Sequence, residues 1–194
     1  ANQNIKISFK ILKSITNQKK FKSFSYNKES IFDYFISLNN SQIDISIHPS
    51  FKTLSLFHKN VMGSFMHDYS VKFEASQVDI DCEDQNLLNS IIIGFKQKDY
   101  IFSIYKKSSS KEKFKTSFKL NKNNIEKLKS INFLKELVSE PSNIIYPQSF
   151  VKRTEKQINK SKVNIKILDQ KKIKKIGLNC LLAVSQGSAR QPRV

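Results

Sequence analysis

IKISFKIL (Ile5–Leu12) puts Ile5, Ile7, Phe9 and Ile11 on one face and Lys6, Ser8 and Lys10 on the other. That period of two predicts a first strand. In SFSYNKESIFDYFISLNN, Ile31, Phe32, Tyr34, Phe35 and Leu38 fall at helical spacing behind Asn27 or Ser30 as caps. The segment predicts a short amphipathic helix ending at Asn39 and Asn40. IDISIHPSF and KTLSLFHKN alternate again around Pro49 and predict strands or edges.

Leu87, Leu88, Ile91, Ile92, Phe95, Tyr100, Ile101, Phe102 and Tyr105 keep helical spacing and predict a helix from Glu83 to Lys106. The acidic run Asp79, Asp81, Glu83 and Asp84 reads as the exit of a strand and the N-terminus of that helix, where the macrodipole favours negative charge, rather than as a metal cluster. KKSSSKEKFK is then a solvated loop or edge and KTSFKL a short strand. NNIEKLKSINFLKELVSEPSNII carries an apolar stripe of Ile125, Leu128, Ile131, Leu134 and Leu137 or Val138, stopped by Pro141. YPQSFVKRTEKQINK predicts a helix with Pro147 in its first turn. VNIKIL predicts a strand, and DQKKIKKIG a turn of helix capped by Asp169. From Asn123 on, the order α, α, β, α opens an α/β layered domain.

Composition changes the picture in one respect. The 194 residues are 39% hydrophobic, with 15 Phe and 6 Tyr, enough for an aromatic-rich core. The net charge is +18, but only Arg153, Arg190 and Arg193 are arginines, so 34 − 3 = 31 of the basic residues are lysines. With abundant Asn, Ile and Phe, that is the signature of an AT-rich genome, and nucleic-acid readers favour the bidentate Arg fork. The charge is uneven: residues 1–100 hold 12 basic and 10 acidic side chains (+2), residues 101–194 hold 22 and 6 (+16). Cys82 and Cys180 form neither a CxxC nor a disulfide framework. The N-terminus has no apolar signal-peptide core, and no run is long enough to span a membrane. These features point to a soluble cytoplasmic protein.

Candidate chemistry is sparse. His48, His58 and His67 lie in separate segments without helical i, i+4 pairing and read as ordinary strand or surface histidines. Met62, Phe65 and Met66 read as core. Gly63, Gly94, Gly177 and Gly187 are isolated, unlike a phosphate-cradling loop.

Three stretches carry more. ELVSEPSNIIYPQSF (Glu136–Phe150) resembles the D-L-V-N-E-P-A-N-x-x-T-P segment of the leucyl (cytosol) aminopeptidases, the M17 metallopeptidases. KILDQKKIKKIGLNCLLAVSQGSARQPRV (Lys166–Val194) resembles their V-L-D-x-x-x-x-x-x-L-G-M-G-A-L-L-A-V-G-Q-G-S-x-x-P-P-R segment, at the right offset. IIIGFKQKDYIFSIYKKS is similar to their G-L-L-L-G-x-Y-x-F-x-x-Y-K helix through Gly94, Phe102, Tyr105 and Lys106. Asn179, Cys180, Ser185 and Gln191 depart from the pattern, standing for Gly, Ala, Gly and Pro.

The resemblance implies an α/β protein: an N-terminal macro-domain-like mixed sheet flanked by helices over residues 1–120, a connecting helix over 121–145, and the first elements of a catalytic domain over 146–194. It implies a hexameric enzyme that releases N-terminal amino acids from peptides, with two divalent ions (Mn or Zn) activating water and polarising the scissile carbonyl. The family's metal-ligand blocks, G-K-G-x-T-F-D-S-G-G and N-T-D-A-E-G-R-L, do not occur here; after Glu155 the only acidic residue is Asp169. The expectation is an N-terminal fragment, inactive alone, with no catalytic, cofactor-binding or metal-binding residue and no bound metal. Leu181, Leu182 and Val184 should then be exposed. The other readings are a DNA-binding module, a role some bacterial members of the family look to share, and a non-catalytic assembly subunit.

Overall fold

Alternating Ile and Phe build the core of the sheet. In the computed structural model, which describes residues 4–39, 41–50, 54–105, 114–158 and 163–194, β1 (Lys6–Ile11) lies between β4 (Gln42–Pro49) and β5 (Gln77–Asp81), parallel to both. Ile7 pairs with Ile43 and Val78, and Phe9 with Ile45 and Ile80. Ile7, Phe9, Ile43, Ile45, Ile47 and Val78 share one buried face. Lys6, Ser8, Lys10, Asp44, Ser46 and His48 take the opposite one, as a strand's period of two requires. With β2 (Lys22–Tyr26), β3 (Glu29–Asn39) and β6 (Lys115–Thr116) the mixed sheet runs β2-β3-β4-β1-β5-β6.

The helix expected over SFSYNKESIFDYFISLNN is instead the β2–β3 hairpin. Asn27 and Lys28 have φ of 50° and 69°, the two positive values of a primed two-residue turn, and Tyr26 pairs with Glu29. β3 then ladders along β4 from Phe32↔Pro49 to Asn39↔Gln42. The helical spacing of Ile31, Phe32 and Phe35 is outweighed because β-branched and aromatic side chains suit a pleated surface. Phe24 stacks on Phe32 at 4.8 Å, Phe65 meets Phe32 edge-on, and Leu38, the end of the supposed stripe, is exposed.

KTLSLFHKN is not a strand where it is described. Ser55 caps α1 (Leu56–Lys72) in a reciprocal box: its hydroxyl accepts from His58 N, and His58 Nδ1 accepts from Ser55 N. Met62, Phe65 and Met66 face the core, as expected. The acidic run divides as read: Asp79 and Asp81 lie in β5, and Asp84 caps α2 (Gln85–Asp99) through Asn86 N and Leu87 N. α2 stops at Asp99, short of the expected Lys106, which lies outside the described residues. Tyr100 is extended, and Ile101, Ile104 and Tyr105 are exposed, so helical spacing there has no surface to bury. The KKSSSKEKFK tract falls almost wholly outside the described residues, and KTSFKL supplies only β6.

The chain divides into two compact units, Ala1–Asn132 and Phe133–Val194, with the boundary inside α3 (Lys122–Ser139). α3 forms where predicted, but of its expected stripe only Leu137 is fully buried; Ile125, Leu134 and Val138 are exposed. The second unit continues with α4 (Pro147–Ile158), α5 (Gln170–Lys175) and α6 (Asn179–Ser185). VNIKIL is not a strand: its one backbone pairing among the described residues is Leu168 with Val194, and a strand needs a ladder. No described helix is long and apolar enough to cross a membrane.

Candidate functional site

The stretch from Glu136 to Phe150 folds back on itself. After Pro141, the amides of Ile144 and Ile145 both donate to the Pro141 carbonyl at 2.9 Å. Ser149 Oγ accepts from Tyr146 N and donates to Ile144 O, closing the entry to α4, whose first residue is Pro147. The turn brings Arg153 of α4 against Glu140. Arg153 Nη2 donates to Glu140 Oε1 at 2.9 Å and Nη1 to Glu136 Oε1 at 3.5 Å. The Glu140 side chain is 1% exposed, so the guanidinium meets it in a buried place.

The stretch from Lys166 to Val194 is organised by a cap at each end of α5. Asp169 accepts from Lys172 N at 2.9 Å, and that bond, with the Lys172 and Arg193 charges behind it, holds its carboxyl below the ordinary range. At the other end Gly177 N donates to Lys174 O and Leu178 N to Ile173 O, a Schellman closure. Gly177 sits at φ 77°, which explains why a glycine is needed there. Ile173 is fully buried. Asn179 begins α6, and the Ser185 hydroxyl donates to Leu182 O at 2.8 Å. Leu181 and Leu182 are half-buried rather than exposed, because α6 turns them inward; Val184 is exposed as expected. The Arg190 guanidinium lies 3.8 Å from the Tyr146 ring, joining the two stretches. Neither Arg153–Glu140 nor Arg190–Tyr146 was anticipated, although arginines are scarce in this lysine-rich chain and two of the three have such contacts.

The histidines stay apart. His48 is half-buried in β4, opposite Asp33. His58 belongs to the α1 cap, with Nε2 3.5 Å from Glu29. His67 is buried, with Nε2 2.9 Å from Asp99 Oδ1 and Nδ1 3.6 Å from Asp68. Asp79 pairs with Lys6 at 2.8 Å; burial pushes its carboxyl up, but bonds from Lys6, Ser117 and Gln77 outweigh this and hold it low. Glu83 pairs with Lys13 at 2.7 Å. Among the described residues no three His, Cys, Asp or Glu side chains gather to hold a metal ion. In the second unit Glu136 and Glu140 face Arg153, and Asp169 caps α5.

Residues 132–194 match the model of the cytosol aminopeptidase family, catalytic domain. Over that segment the chain is similar to the cytosol aminopeptidases. The matched cytosol aminopeptidase segment begins within one residue of the second compact unit. A probable cytosol aminopeptidase of Phytoplasma mali is 35% identical over 133 residues, covering 61% of this chain and 26% of that protein. One from Methylorubrum extorquens is 45% identical over 60 residues, covering 31% and 12%. The chain thus spans about a quarter or less of the curated cytosol aminopeptidases it matches. Among solved structures, a mutant of tomato leucine aminopeptidase superposes with a TM-score of 0.63 at 12% identity, covering 98% of this chain and 46% of that one. The bottromycin maturation enzyme BotP gives 0.60 at 12%, covering 98% and 44%. At that identity the structural likeness establishes the shared mixed α/β fold.

Proposed function

We propose that this chain supplies the N-terminal part of a metal-dependent aminopeptidase that removes N-terminal residues, leucine among them, from peptides in the cytoplasm. One observation carries the reading: the family segment and the compact unit Phe133–Val194 coincide, so the likeness belongs to a physical piece of the molecule. The Phytoplasma mali match is longer than that unit and so extends the likeness into the first one.

In this reading a bound pair of divalent ions, Mn or Zn, would supply the Lewis-acid chemistry that activates a water and polarises the scissile carbonyl. The residues present here hold the scaffold that leads to such a centre. Arg153 clamps the Glu140 turn, and Asp169 and Gly177 fix the two ends of α5. The ligands come from sequence outside these residues, and the working assembly is a homo-hexamer.

Dialysis against Mn or Zn followed by metal analysis tests this division. The 194-residue protein should retain no tightly held pair, and the protein extended through the coding sequence that follows Val194 should retain two ions per chain. Retention of two ions by the 194 residues alone would overturn it.

A further inference from the structure

Within the first unit, α1, α2 and the first half of α3 enclose a groove of about 570 Å³, within the range of small-ligand sites. Its chemistry is unlike the rest of this basic chain. Neutral amides come from all three helices: Asn60 from α1, Asn89 and Gln97 from α2, Asn123 and Asn124 from α3. The side-chain amides of Asn89 and Asn123 make no hydrogen bond among the described residues. Ser90 and Ser130, on facing walls, donate their protons to Asn86 O and Glu126 O of their own helices, each at 3.0 Å, leaving acceptor lone pairs. Leu56, Ile93 and Ile131 supply the apolar surface between these polar groups.

We infer that this groove binds a short stretch of extended, uncharged peptide. A peptide group offers one N–H and one C=O, and a side-chain amide answers both at once, whereas the two hydroxyls here can only accept. Charge and shape argue against a nucleic acid. The ionisable lining groups are Lys127 and Glu126, of opposite sign, the latter held by Lys129 at 2.8 Å. Phosphate binding draws on clustered cations, and single-strand binding on aromatic platforms. No aromatic ring of the described residues lines this groove. Its lining residues all precede, in sequence, the segment that matches the catalytic domain, so the inference stands whether or not the aminopeptidase reading holds.

The experiment is a titration of the isotopically labelled 194-residue protein with N-acetyl-tetraalanine amide and, separately, with a short single-stranded oligothymidylate, following the Asn and Gln side-chain amide signals by NMR. The peptide should shift the Asn89 and Asn123 signals saturably. Asn89→Trp, which fills the groove, and Asn123→Ala, at an exposed position, should each weaken that binding by roughly tenfold or more, with unchanged far-ultraviolet circular dichroism. If Asn89→Trp fails to fold, Asn123→Ala decides. Unsaturable peptide shifts, undiminished binding by the folded variants, or perturbation of these amides by the oligonucleotide instead of the peptide would each overturn the inference.

Discussion

Gly63 of α1 and Gly94 of α2 meet where the two helices cross backbone to backbone. A Cβ added to Gly63 would lie 2.5 Å from Phe95 N and 3.0 Å from the Gly94 carbonyl carbon; one added to Gly94 would lie 2.6 Å from Asn60 Cα. Neither glycine has a positive φ, so space and not conformation requires them. Gly63→Ala or Gly94→Ala should each cost about 3 kcal/mol or more, because a helix backbone cannot step aside as a flexible side chain can. Gly187→Ala, with nothing within 4 Å, should change stability by no more than about 0.5 kcal/mol. Urea denaturation of the three variants checks the contrast.

The hairpin turn carries a cost that a single substitution should relieve. Lys28 sits at φ 69°, where a Cβ crowds the following carbonyl. Lys28→Gly should stabilise the first unit by about 1 kcal/mol, seen as a higher midpoint in thermal unfolding, and a lower midpoint would contradict the turn assignment.

Arg153 and Glu140 should hold the second unit together. Arg153→Leu leaves the Glu140 carboxylate in its buried place without the guanidinium, at a cost of about 3 kcal/mol. Arg153→Lys should recover only part of this, since an ammonium cannot span Glu136 and Glu140 as the planar fork does. Hydrogen exchange reads the effect: protection should fall along α4 and persist in β1 and β4.

Asp99 gives the first unit an acid-sensitive contact. Burial raises its carboxyl, but the His67 hydrogen bond and the Lys96 charge together outweigh this and set it below its ordinary 3.8. Asp68 also faces His67, and Lys98 in turn pairs with Asp68. Because the folded state binds the Asp99 proton more weakly than the unfolded chain does, this contribution is complete above the ordinary value. It is lost as pH falls through the lowered one. Asp99→Asn should flatten the acid limb of stability against pH, and an unchanged limb would show that the contact contributes nothing.

The first unit was only partly legible in the sequence, for reasons that can be traced to residues. β1 and β4 were clear because each sets apolar against polar side chains at every step. β3 was misread because Ile31, Phe32 and Phe35 satisfy helical spacing, and the turn that decides otherwise is Asn27-Lys28, without the glycine that usually announces a hairpin. α1 was hidden because His67 and Ser70 are buried among Met62, Phe65 and Met66, blurring its stripe, and Leu56 and Phe57 are exposed. Its cap uses a histidine where Glu or Gln is the familiar partner.

In the second unit the local devices were readable and the distant ones were not. Asp169 identified itself as a cap by preceding QKKIKK. Arg153–Glu140 depends on how tightly the chain turns after Pro141, and Arg190–Tyr146 on bringing together segments far apart in sequence; no periodicity encodes either. VNIKIL shows the converse, strand-like residues that form no ladder among the described residues.

Release of leucine from a leucyl peptide in the presence of Mn or Zn is the most direct measurement, made on the 194-residue protein and on the protein extended through the coding sequence that follows Val194. Release by the extended protein alone is the expected result. Release by the 194-residue protein, or none from an extended protein that holds two metal ions, would contradict the account.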